Sequence, residues 1–388
     1  MAHRTSLPRT ALPLLAALCL AACGPGAAPA AKPASAPPPA PAATTAPAAK
    51  PAAPAAPAAP AKPQLTTSPP VTVKVGYLPV SSWAPLFVAQ ERGYFQEVGL
   101  EVDSAPFGNY TSQLPLLAQG QLHVAGCSNA VACYNAFGRG LDLRIVTDLQ
   151  SAGKTEKSRG ASALVVRKDL WDNGTIRDAR DLIGRTLYTQ AGPGSGQHAQ
   201  AAHWLRRHGV DPGAMEWTQL QFADLFAAMQ NQAVEAGFQS EPFIAAGLNR
   251  GVHQILATSE EMHPTVQSTY VMFWTGIDRL GPQVGERFMV AWTRGGRDFT
   301  NGMEYGIDQD LMINVLVRET GIKDPDVHRQ TKYPWRNPNG EVDRATLQAD
   351  ADLFTELGLM SQVDISHVFD DKYRQFAVDY LGEYRPPR

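Results

Sequence analysis

The sequence has little net charge and few cysteines. Its 388 residues include 34 Lys and Arg against 37 Asp and Glu, which gives a formal net charge of −3. A protein that binds nucleic acid by neutralising phosphates needs a basic surplus, so that class is excluded. Charged residues make up 18% of the chain, too few for a disordered acidic or basic tail protein. With only four cysteines, the chain is also unlike a small secreted domain held together by disulfides.

Motifs for catalysis and for metal binding are absent from the sequence as well. It contains no P-loop, no G-x-S-x-G elbow and no H-E-x-x-H. The stretch from Gly192 to Gly196 spaces its glycines as G-x-G-x-G, which is not the dinucleotide-binding G-x-G-x-x-G. His198, His203 and His208 recur every five residues and therefore point to different sides of a helix, so they cannot bind one metal ion. We expect neither a cofactor nor a metal.

The first residues have the pattern of a bacterial lipoprotein signal peptide. Arg4 and Arg9 precede an apolar run from Ala11 to Leu20, much shorter than the roughly 20 residues of a permanent membrane helix. The run leads into Leu-Ala-Ala-Cys, which resembles a lipobox, where cleavage precedes a cysteine that is then lipidated. We expect a signal peptide over residues 1–22 and a lipid anchor on Cys23. The alternative is an ordinary signal with an A-x-A-like cleavage site, in which Cys23 is incidental.

Residues 23–70 are predicted to be a tether. They are mostly Ala and Pro, with Lys32, Lys50 and Lys62 as their only charges and Leu65 as their only large apolar residue. Such a segment cannot bury a core, and repeated proline favours a semi-rigid polyproline II spacer. The sequence therefore predicts a folded part that stands clear of a membrane surface.

From residue 71 onward, short β-branched strands alternate with helical segments. This alternation predicts an α/β layer architecture with mostly parallel strands. The pattern restarts after a polar stretch near residue 155 and becomes mostly helical towards the C-terminus. We therefore expect two lobes linked by crossing strands, with a cleft between them. The expected division is residues 71–160 in lobe 1, residues 161–255 in lobe 2, and residues 256–388 returning to lobe 1 and ending in a helical segment.

Three turns of small polar residues each follow a predicted strand and precede a predicted helix. In a parallel α/β sheet such turns lie beyond the carboxyl ends of the strands, where ligands bind. Each helix start offers unpaired N–H groups to a polar or anionic group. The alternative is that the serines merely cap helices. The candidate ligand contacts in these turns are Ser82 and Trp83, then Cys127, Ser128 and Asn129, and finally Ser195, Gly196, Gln197 and His198.

Other residues near these turns are candidates with open alternatives. Aromatic side chains able to wall a cleft include Tyr110, Phe238 and Trp274, although a single aromatic is more often part of a core. Glu241 precedes a proline and is either a carboxylate near a helix start or a hydrogen-bond acceptor in the cleft. A disulfide between Cys127 and Cys133 is left open, and its geometry is doubtful because Cys133 lies inside a predicted helix.

Several segments in order resemble one known family. They are V-K-V-G-Y-L-P at residues 73–79, A-P-L-F-V-A at 84–89, E-R-G-Y-F at 91–95, G-Q-L-H-V-A-G at 120–126, G-S-G-Q-H at 194–198, and V-E-A-G-F at 234–238 followed by E-P-F at 241–243. This stretch is similar to periplasmic solute-binding proteins of ABC importers in the sulfonate, nitrate, taurine and thiamine-pyrimidine group (NMT1/THI5-like, SsuA-like). Two positions depart from the family: Cys127 replaces a small residue, and His123 replaces the usual Asp.

The resemblance implies a two-lobe class II periplasmic-binding-protein fold, the Venus flytrap. A small molecule would be held between the lobes and delivered to a membrane permease with its ATPase. By motif, the ligand contacts implied are Ser82, Trp83, Cys127, Ser128, the stretch from Ser195 to His198 and the region from Phe238 to Glu241. The ligand class stays open between a small organic anion and a heteroaromatic nutrient. We expect an extracytoplasmic monomer that meets the membrane only through its lipid. An enzyme on the same fold, of menaquinone-pathway or pyrimidine-synthase type, and a ligand sensor are the alternatives.

Overall fold

The computed structural model describes residues 65–66, 69–151, 155–159, 162–262 and 267–388. The predicted signal peptide, Cys23 and most of the predicted tether lie outside these residues. Leu65 is described, and it is buried in the core of the folded chain with 6% of its surface exposed. Residues 61–388 group into one compact unit.

The described strands are short, between two and nine residues long. Their bounds are β1 Val71–Tyr77, β2 Leu100–Pro106, β3 Val124–Ser128, β4 Leu143–Ser151, β5 Ser158–Arg159, β6 Ser162–Arg167, β7 Thr186–Thr189, β8 Glu216–Gln219, β9 Ala236–Ser240, β10 His253–Thr258, β11 Gln267–Trp274 and β12 Tyr333–Pro334. Strands β1 and β7 are each a short apolar or β-branched run bounded by turn residues, as the alternation from residue 71 onward predicts.

The described helices follow most strands and then dominate the C-terminal part of the chain. Their bounds are α1 Ala84–Glu91, α2 Tyr94–Glu97, α3 Leu114–Ala118, α4 Val131–Gly138, α5 Lys168–Asp172, α6 Gly196–Arg207, α7 Phe222–Gln230, α8 Phe243–Asn249, α9 Ser259–Met262, α10 Val284–Tyr305, α11 Gln309–Glu319, α12 Pro325–Gln330, α13 Arg344–Glu356 and α14 Lys372–Leu381. The long helix α10 packs against α1 and α14. In the described part of the chain, no helix has both the length and the apolar character that a bilayer span requires.

Two five-stranded sheets form the framework. The first has the order β2-β1-β3-β11-β4, and the second has the order β10-β6-β9-β7-β8. We call each sheet with its packed helices the first and the second lobe. The chain passes from β4 to the second lobe at β6 and returns at β11, so two segments connect the lobes. The limits predicted for each lobe stay a prediction.

The prediction of mostly parallel strands is wrong. In the first sheet β1 is parallel to β2 and β3, but β11 is antiparallel to both β3 and β4. In the second sheet β7 is parallel to β8 and β9, while β6 is antiparallel to β9 and β10. Strand β11 enters from the other lobe and therefore runs against its neighbours, a reversal that local strand–helix alternation does not encode.

The turn after β3 also differs from the prediction. The alternative that Ser128 caps a helix is wrong, because Ser128 is the last residue of β3 and α4 begins at Val131. Ala130 has extended backbone angles (φ −136°, ψ 146°), so the chain turns before the helix starts. This turn places Cys127 and Cys133 together, and the structure joins them in a disulfide between the end of the strand and the helix.

A cavity between the two lobes

A cavity lies between the two sheets, beyond the carboxyl ends of β1, β3, β7 and β9. Its volume is about 40 Å³, and a single water needs roughly 10–15 Å³ on the same measure, so the space holds a few waters or one small polar group. The lining residues are Val80, Ser82, Tyr110, Ser128, Gln150 and Thr269 of the first lobe, and Ser162, Gln190, Ser195, Gly196, Gln197, Gln200, Phe222 and Ser240 of the second.

Polar, uncharged residues dominate the lining of the cavity. Most of them carry a hydroxyl group or a glutamine amide, although apolar atoms form most of the exposed wall, and the described lining residues include no Asp, Glu, Lys, Arg or His. The titratable residue of the described lining is Tyr110, and burial raises its pKa to about 12. The lining therefore offers neutral hydrogen-bond donors and acceptors at ordinary pH.

Strand pairing brings several of these polar groups together. Thr269 of β11 lies opposite Ser128 of β3 and opposite Gln150 of β4. In the second sheet Ser162 lies opposite Ser240. The polar groups of each lobe are thus held by sheet register, which fixes their positions more firmly than a loop would.

Three buried atoms in the lining have no hydrogen-bond partner among the described residues. They are Nε2 of Gln150, Oγ of Ser162 and Oε1 of Gln200. These three side chains belong to residues that are 1% to 3% exposed. Because an unpaired buried polar atom costs free energy, such atoms facing a cavity are typical of a site that is completed by a ligand or by water.

The two lobes also bond to each other directly around the cavity. The N–H of Val131 donates to the carbonyl of Gly194 at 2.7 Å, and the N–H of Ser81 donates to the carbonyl of Glu241 at 3.4 Å. Nε2 of Gln190 donates to the carbonyl of Gly108 at 2.9 Å. At the starts of α4 and of the Ser81–Trp83 turn, backbone N–H groups expected to face a ligand are therefore occupied by carbonyls of the opposite lobe.

The start of α6 remains directed at the cavity. Ser195 caps this helix, because its Oγ accepts the N–H of His198 at 3.2 Å. The next two residues, Gly196 and Gln197, line the cavity. Ser195 therefore caps the helix, as the alternative interpretation holds, and it also lines the cavity.

Six of the residues predicted to contact ligand line this one cavity. They are Ser82, Tyr110, Ser128, Ser195, Gly196 and Gln197. They come from both lobes, and the structure gathers them although they lie far apart in the sequence. Their role in binding stays a prediction.

Three predicted aromatic contacts lie away from the cavity. Trp83 is fully buried in the core of the first lobe, and its ring centre lies 5.7 Å from that of Trp292. Phe238 is fully buried in the core of the second lobe. Trp274 ends β11, several residues beyond Thr269, and stacks on His123 with ring centres 5.8 Å apart. Each fills space where a strand or turn meets a helix, which is the ordinary role of a large aromatic side chain.

The other four predicted contacts lie just behind the cavity wall. Cys127 is tied to Cys133, and Asn129 donates from Nδ2 to Asp350 at 2.8 Å. Glu241 is fully buried, and its Oε2 accepts the N–H of Ala245 at 3.1 Å.

His198, the fourth, is a structural residue in this arrangement. Its Nδ1 accepts the N–H of Gly194 at 3.0 Å, and its ring centre lies 4.2 Å from that of Trp217. Burial lowers the pKa of His198 to about 4, so the imidazole is neutral near pH 7. Among the described residues, no cluster of three or more His, Cys, Asp or Glu side chains is placed to bind a metal ion.

Sequence reasoning missed seven of the lining residues, and it covered an eighth, Ser240, only as part of the region from Phe238 to Glu241. The seven are Val80, Gln150, Ser162, Gln190, Gln200, Phe222 and Thr269. A signal exists for some of them, since Gln150, Ser162 and Ser240 stand at or near the ends of apolar strands. A polar residue at the end of a buried strand is where a sheet presents side chains to a cleft.

Comparison with known proteins identifies a sequence family and several transport proteins that are similar to this chain. A sequence profile of the NMT1-like family matches residues 66–274, and every residue that lines the cavity falls within that range. The bicarbonate transport ATP-binding protein CmpC of Synechococcus elongatus is 25% identical over 208 residues. The nitrate import ATP-binding protein NrtC of the same organism is 27% identical over 206 residues. Each match covers 50% of this chain and only 30% of the relative's length.

Solved structures share the fold. The alkanesulfonate-binding protein SsuA of Xanthomonas axonopodis pv. citri, bound to MOPS, has a TM-score of 0.63 at 20% identity, covering 79% of this chain and 100% of that one. The periplasmic nitrate-binding protein NrtA of Synechocystis PCC 6803 has a TM-score of 0.64 at 15% identity, covering 81% of this chain and 90% of that one. At these identities the likeness shows the fold alone, and the predicted two-lobe periplasmic-binding-protein fold with a helical C-terminal segment is confirmed. Since the family profile covers more than half of the chain, the protein belongs to the NMT1-like family.

Proposed function

We propose that this protein is the solute-binding component of an ABC importer. It captures a small organic solute in the cavity between its lobes and delivers the solute to a permease with its ATPase. It acts as a monomer outside the cytoplasm, and the lipid on Cys23 is its only contact with the membrane. The observation that carries the proposal is the cavity rich in hydroxyl and amide side chains, which both lobes line.

The arrangement of the lobes supports a closure mechanism. Residues on both sheets contact the same small space, so a solute that bonds to both sides stabilises the closed form over an open one. The direct bonds between Val131 and Gly194 and between Gln190 and Gly108 form at the same interface. Contacts to the solute and contacts between the lobes therefore form together when the lobes close. The closed form then has a surface that a permease can distinguish from that of the open form.

The relatives support a role in transport. CmpC and NrtC are named for bicarbonate transport and nitrate import, and SsuA and NrtA are named as sulfonate-binding and nitrate-binding proteins. These ligands belong to those proteins. For this chain the solute class stays open at this point between an organic anion and a heteroaromatic nutrient.

An enzyme on the same fold is the alternative, and the chemistry of the cavity favours binding over catalysis. General acid–base catalysis needs a group whose pKa lies near the working pH. In the described part of the lining there is no carboxylate, imidazole, amine or thiol, and its tyrosine has a pKa of about 12. A ligand sensor is distinguished from a transport protein by the absence of permease and ATPase genes beside its own.

A thermal-shift screen of the secreted protein tests solute capture. Sulfonates, aromatic acids and vitamin precursors are screened, because a ligand that binds only the folded state raises the melting temperature. Compounds that raise the melting temperature are then titrated by calorimetry against the wild type and against two variants. The variants are Ser162→Ala and Ser240→Ala, each of which removes a hydroxyl from the cavity. We expect at least a threefold loss of affinity in each variant.

Ser361→Ala is the matched control, since Ser361 is exposed and lies away from the cavity. It should bind as the wild type does. Equal affinity in all three variants would place binding elsewhere, and turnover of a bound compound would favour the enzyme.

A further inference from the structure

We infer that the solute has an uncharged head that both donates and accepts hydrogen bonds, joined to a compact apolar tail. The inference rests on the proposed function and names the chemistry of the solute. The head occupies the polar cavity, and the tail lies in a second, apolar cavity beside it.

The charge around the polar cavity argues against an anionic head. Among the residues that the structure describes, no cationic side chain lines the cavity. Three buried carboxylates stand close behind the lining. Glu241 follows Ser240 in the chain, Asp350 accepts a hydrogen bond from Asn129, the neighbour of Ser128, and Asp148 lies two residues before Gln150.

Each of these carboxylates is engaged within the protein. Asp148 accepts the N–H of Asn337 at 2.8 Å and is attracted by Arg336, so that arginine compensates a carboxylate and is not placed in the lining. Asp350 also lies 3.5 Å from Nε2 of His203. An anion in the cavity would therefore lie near Glu241 and Asp350, and no cation of the described lining offsets these carboxylates, whereas a neutral head avoids this repulsion.

Most of the backbone N–H groups that could take the place of a cation already donate hydrogen bonds within the protein. The N–H groups of Val131 and Ser81 bond to carbonyls of the opposite lobe, which leaves the start of α6 as the open helix terminus. An oxyanion only accepts hydrogen bonds, so a site built for it needs converging donors. The side chains that remain in the lining are mainly hydroxyls and glutamine amides, each of which accepts a hydrogen bond as well as donating one.

The three buried lining atoms without a partner instead require a ligand that both accepts and donates hydrogen bonds. Gln150 presents an amide nitrogen, which donates, and Gln200 presents an amide oxygen, which accepts. The hydroxyl of Ser162 does either. A glutamine amide offers one donor end and one acceptor end whichever way it is turned. A head group such as a carboxamide, a urea or a lactam satisfies this set, whereas a carboxylate or sulfonate leaves acceptors unpaired.

The apolar cavity supplies the place for a tail. It has a volume of about 130 Å³ and shares two walls, Val80 and Phe222, with the polar cavity. The other residues that line it are Leu78, Pro79, Phe107, Gly108, Gln221, Ala223, Phe243 and Gly321. All of these side chains except Gln221 are apolar or absent, and they come from both lobes and the C-terminal segment. A small apolar chain or ring bound there leaves water as the lobes close.

Matched pairs of probes that differ only in head charge test the head group. Benzamide is compared with benzoate, butyramide with butyrate, and propanesulfonamide with propanesulfonate, by calorimetry on the secreted full-length protein. We expect the neutral member of a pair to bind at least tenfold more tightly. Gln150→Met and Gln200→Met should each remove most of that preference, whereas Gln96→Met, at an exposed position, should keep it.

A tighter or equal affinity for the charged member overturns the inference and leaves the proposed function standing, because the protein would still be a solute-binding protein. Failure of every probe to bind also overturns the inference. The proposed function is judged separately, by extracting the small molecules that copurify with the protein and testing whether they restore the thermal shift.

Filling the apolar cavity tests the tail. Ala223 is exposed on α7 and lines the apolar cavity, and Ala227 is exposed one turn further along the same helix and does not line it. Ala223→Leu should weaken binding of the probe with the longest tail at least tenfold and change acetamide binding less than twofold. Ala227→Leu should change neither. An equal effect of Ala223→Leu on long and short probes would show that no tail lies there.

Discussion

At the scale of single residues, the buried histidine His198 makes stability depend on pH. Its ring is packed on Trp217, its Nδ1 accepts the N–H of Gly194, and burial lowers its pKa to about 4. The unfolded chain binds a proton near pH 6.5, whereas the folded chain does so only near pH 4. The neutral ring therefore stabilises the fold fully above pH 6.5, and this stabilisation is lost as the pH falls towards 4.

Replacing the histidine by a residue that does not titrate should flatten this dependence. In His198→Asn the amide oxygen can still accept the N–H of Gly194, so we expect some loss of stability at pH 7. Between pH 6.5 and 4.5 the free energy of unfolding should fall less steeply than in the wild type, by up to roughly 1.4 kcal/mol per pH unit. Denaturant titrations at several pH values measure the difference.

Other groups titrate in the same range, so the comparison with the wild type is essential. Burial also lowers the pKa of His253 to about 4, and this adds to the loss of stability on acidification. Burial raises the pKa of Asp148 to about 6, so the folded state takes up that proton first and gains stability as the pH falls from 6 towards 4. Both effects cancel in the difference between variant and wild type. His367→Asn, at an exposed position, is the control, and an equally flattened slope there would contradict the assignment to His198.

At the scale of elements, the start of α6 lies in close contact with the first lobe. A Cβ atom added to Gly196 would lie 2.9 Å from the backbone oxygen of Asn129, and such a contact forces one side to move. The side chains of Ala199 and Ala202 on the same helix pack into the core of the first lobe. Helix α6 therefore belongs to the second lobe but also packs against the first, and its small residues allow the two lobes to lie this close together.

Gly196→Ala should separate closure from folding. Alanine favours the helix locally, but its methyl group holds the lobes apart. We expect solute affinity to fall at least tenfold, with little change in the melting temperature of the solute-free protein. Calorimetry and small-angle scattering measure affinity and the compaction that accompanies closure. Gly213→Ala adds a Cβ with only ordinary contacts of 3.4 to 3.7 Å and should bind and close normally. Unchanged binding in Gly196→Ala would show that closure does not bring these residues together.

At the scale of the whole molecule, the proposed anchor and the cavity belong to separate parts of the chain. Residues 61–388 form one compact unit, which contains every residue that lines the cavity. Solute binding should therefore be independent of lipidation.

Cys23→Ser should abolish incorporation of labelled palmitate and move the protein from the membrane fraction to the soluble fraction. Its affinity for solute should stay within twofold of the wild type. Cys19→Ser, four residues earlier in the predicted signal peptide, should keep both labelling and membrane association. A Cys23→Ser protein that still carries lipid would contradict the lipobox interpretation.

Much of the fold follows from local patterns in the sequence. Short β-branched runs such as Val71–Tyr77 and Thr186–Thr189 are strands because their neighbours are turn formers, and the polar turn at Ser195 caps a helix as its position predicts. The family resemblance at residues 73–126 and 194–243 supplied the two-lobe arrangement. These features are local, or are carried by short motifs, so a single sequence is enough to find them.

The site was only half predictable, because its members are set by pairing between distant strands. Ser128, Ser195 and Gln197 stand in recognisable turns, but Gln150, Ser162 and Thr269 face the cavity only through the register of β11 and β6 with their neighbours. Trp83 follows the cavity residue Ser82 directly, yet the turn sends its ring into the core. Whether a side chain points to a cleft or a core depends on the packing of the other lobe.

The sequence alone determined the secretion signal as a prediction, the α/β class, the family and the polar turns, since each rests on composition or on neighbouring residues. Only the tertiary structure decided the mixed strand directions, the pairing of Cys127 with Cys133 and the uncharged lining. The physical reason is that strand ends far apart in the sequence form a single wall where the two lobes meet. Contacts between residues so distant in the sequence leave no local pattern in the chain.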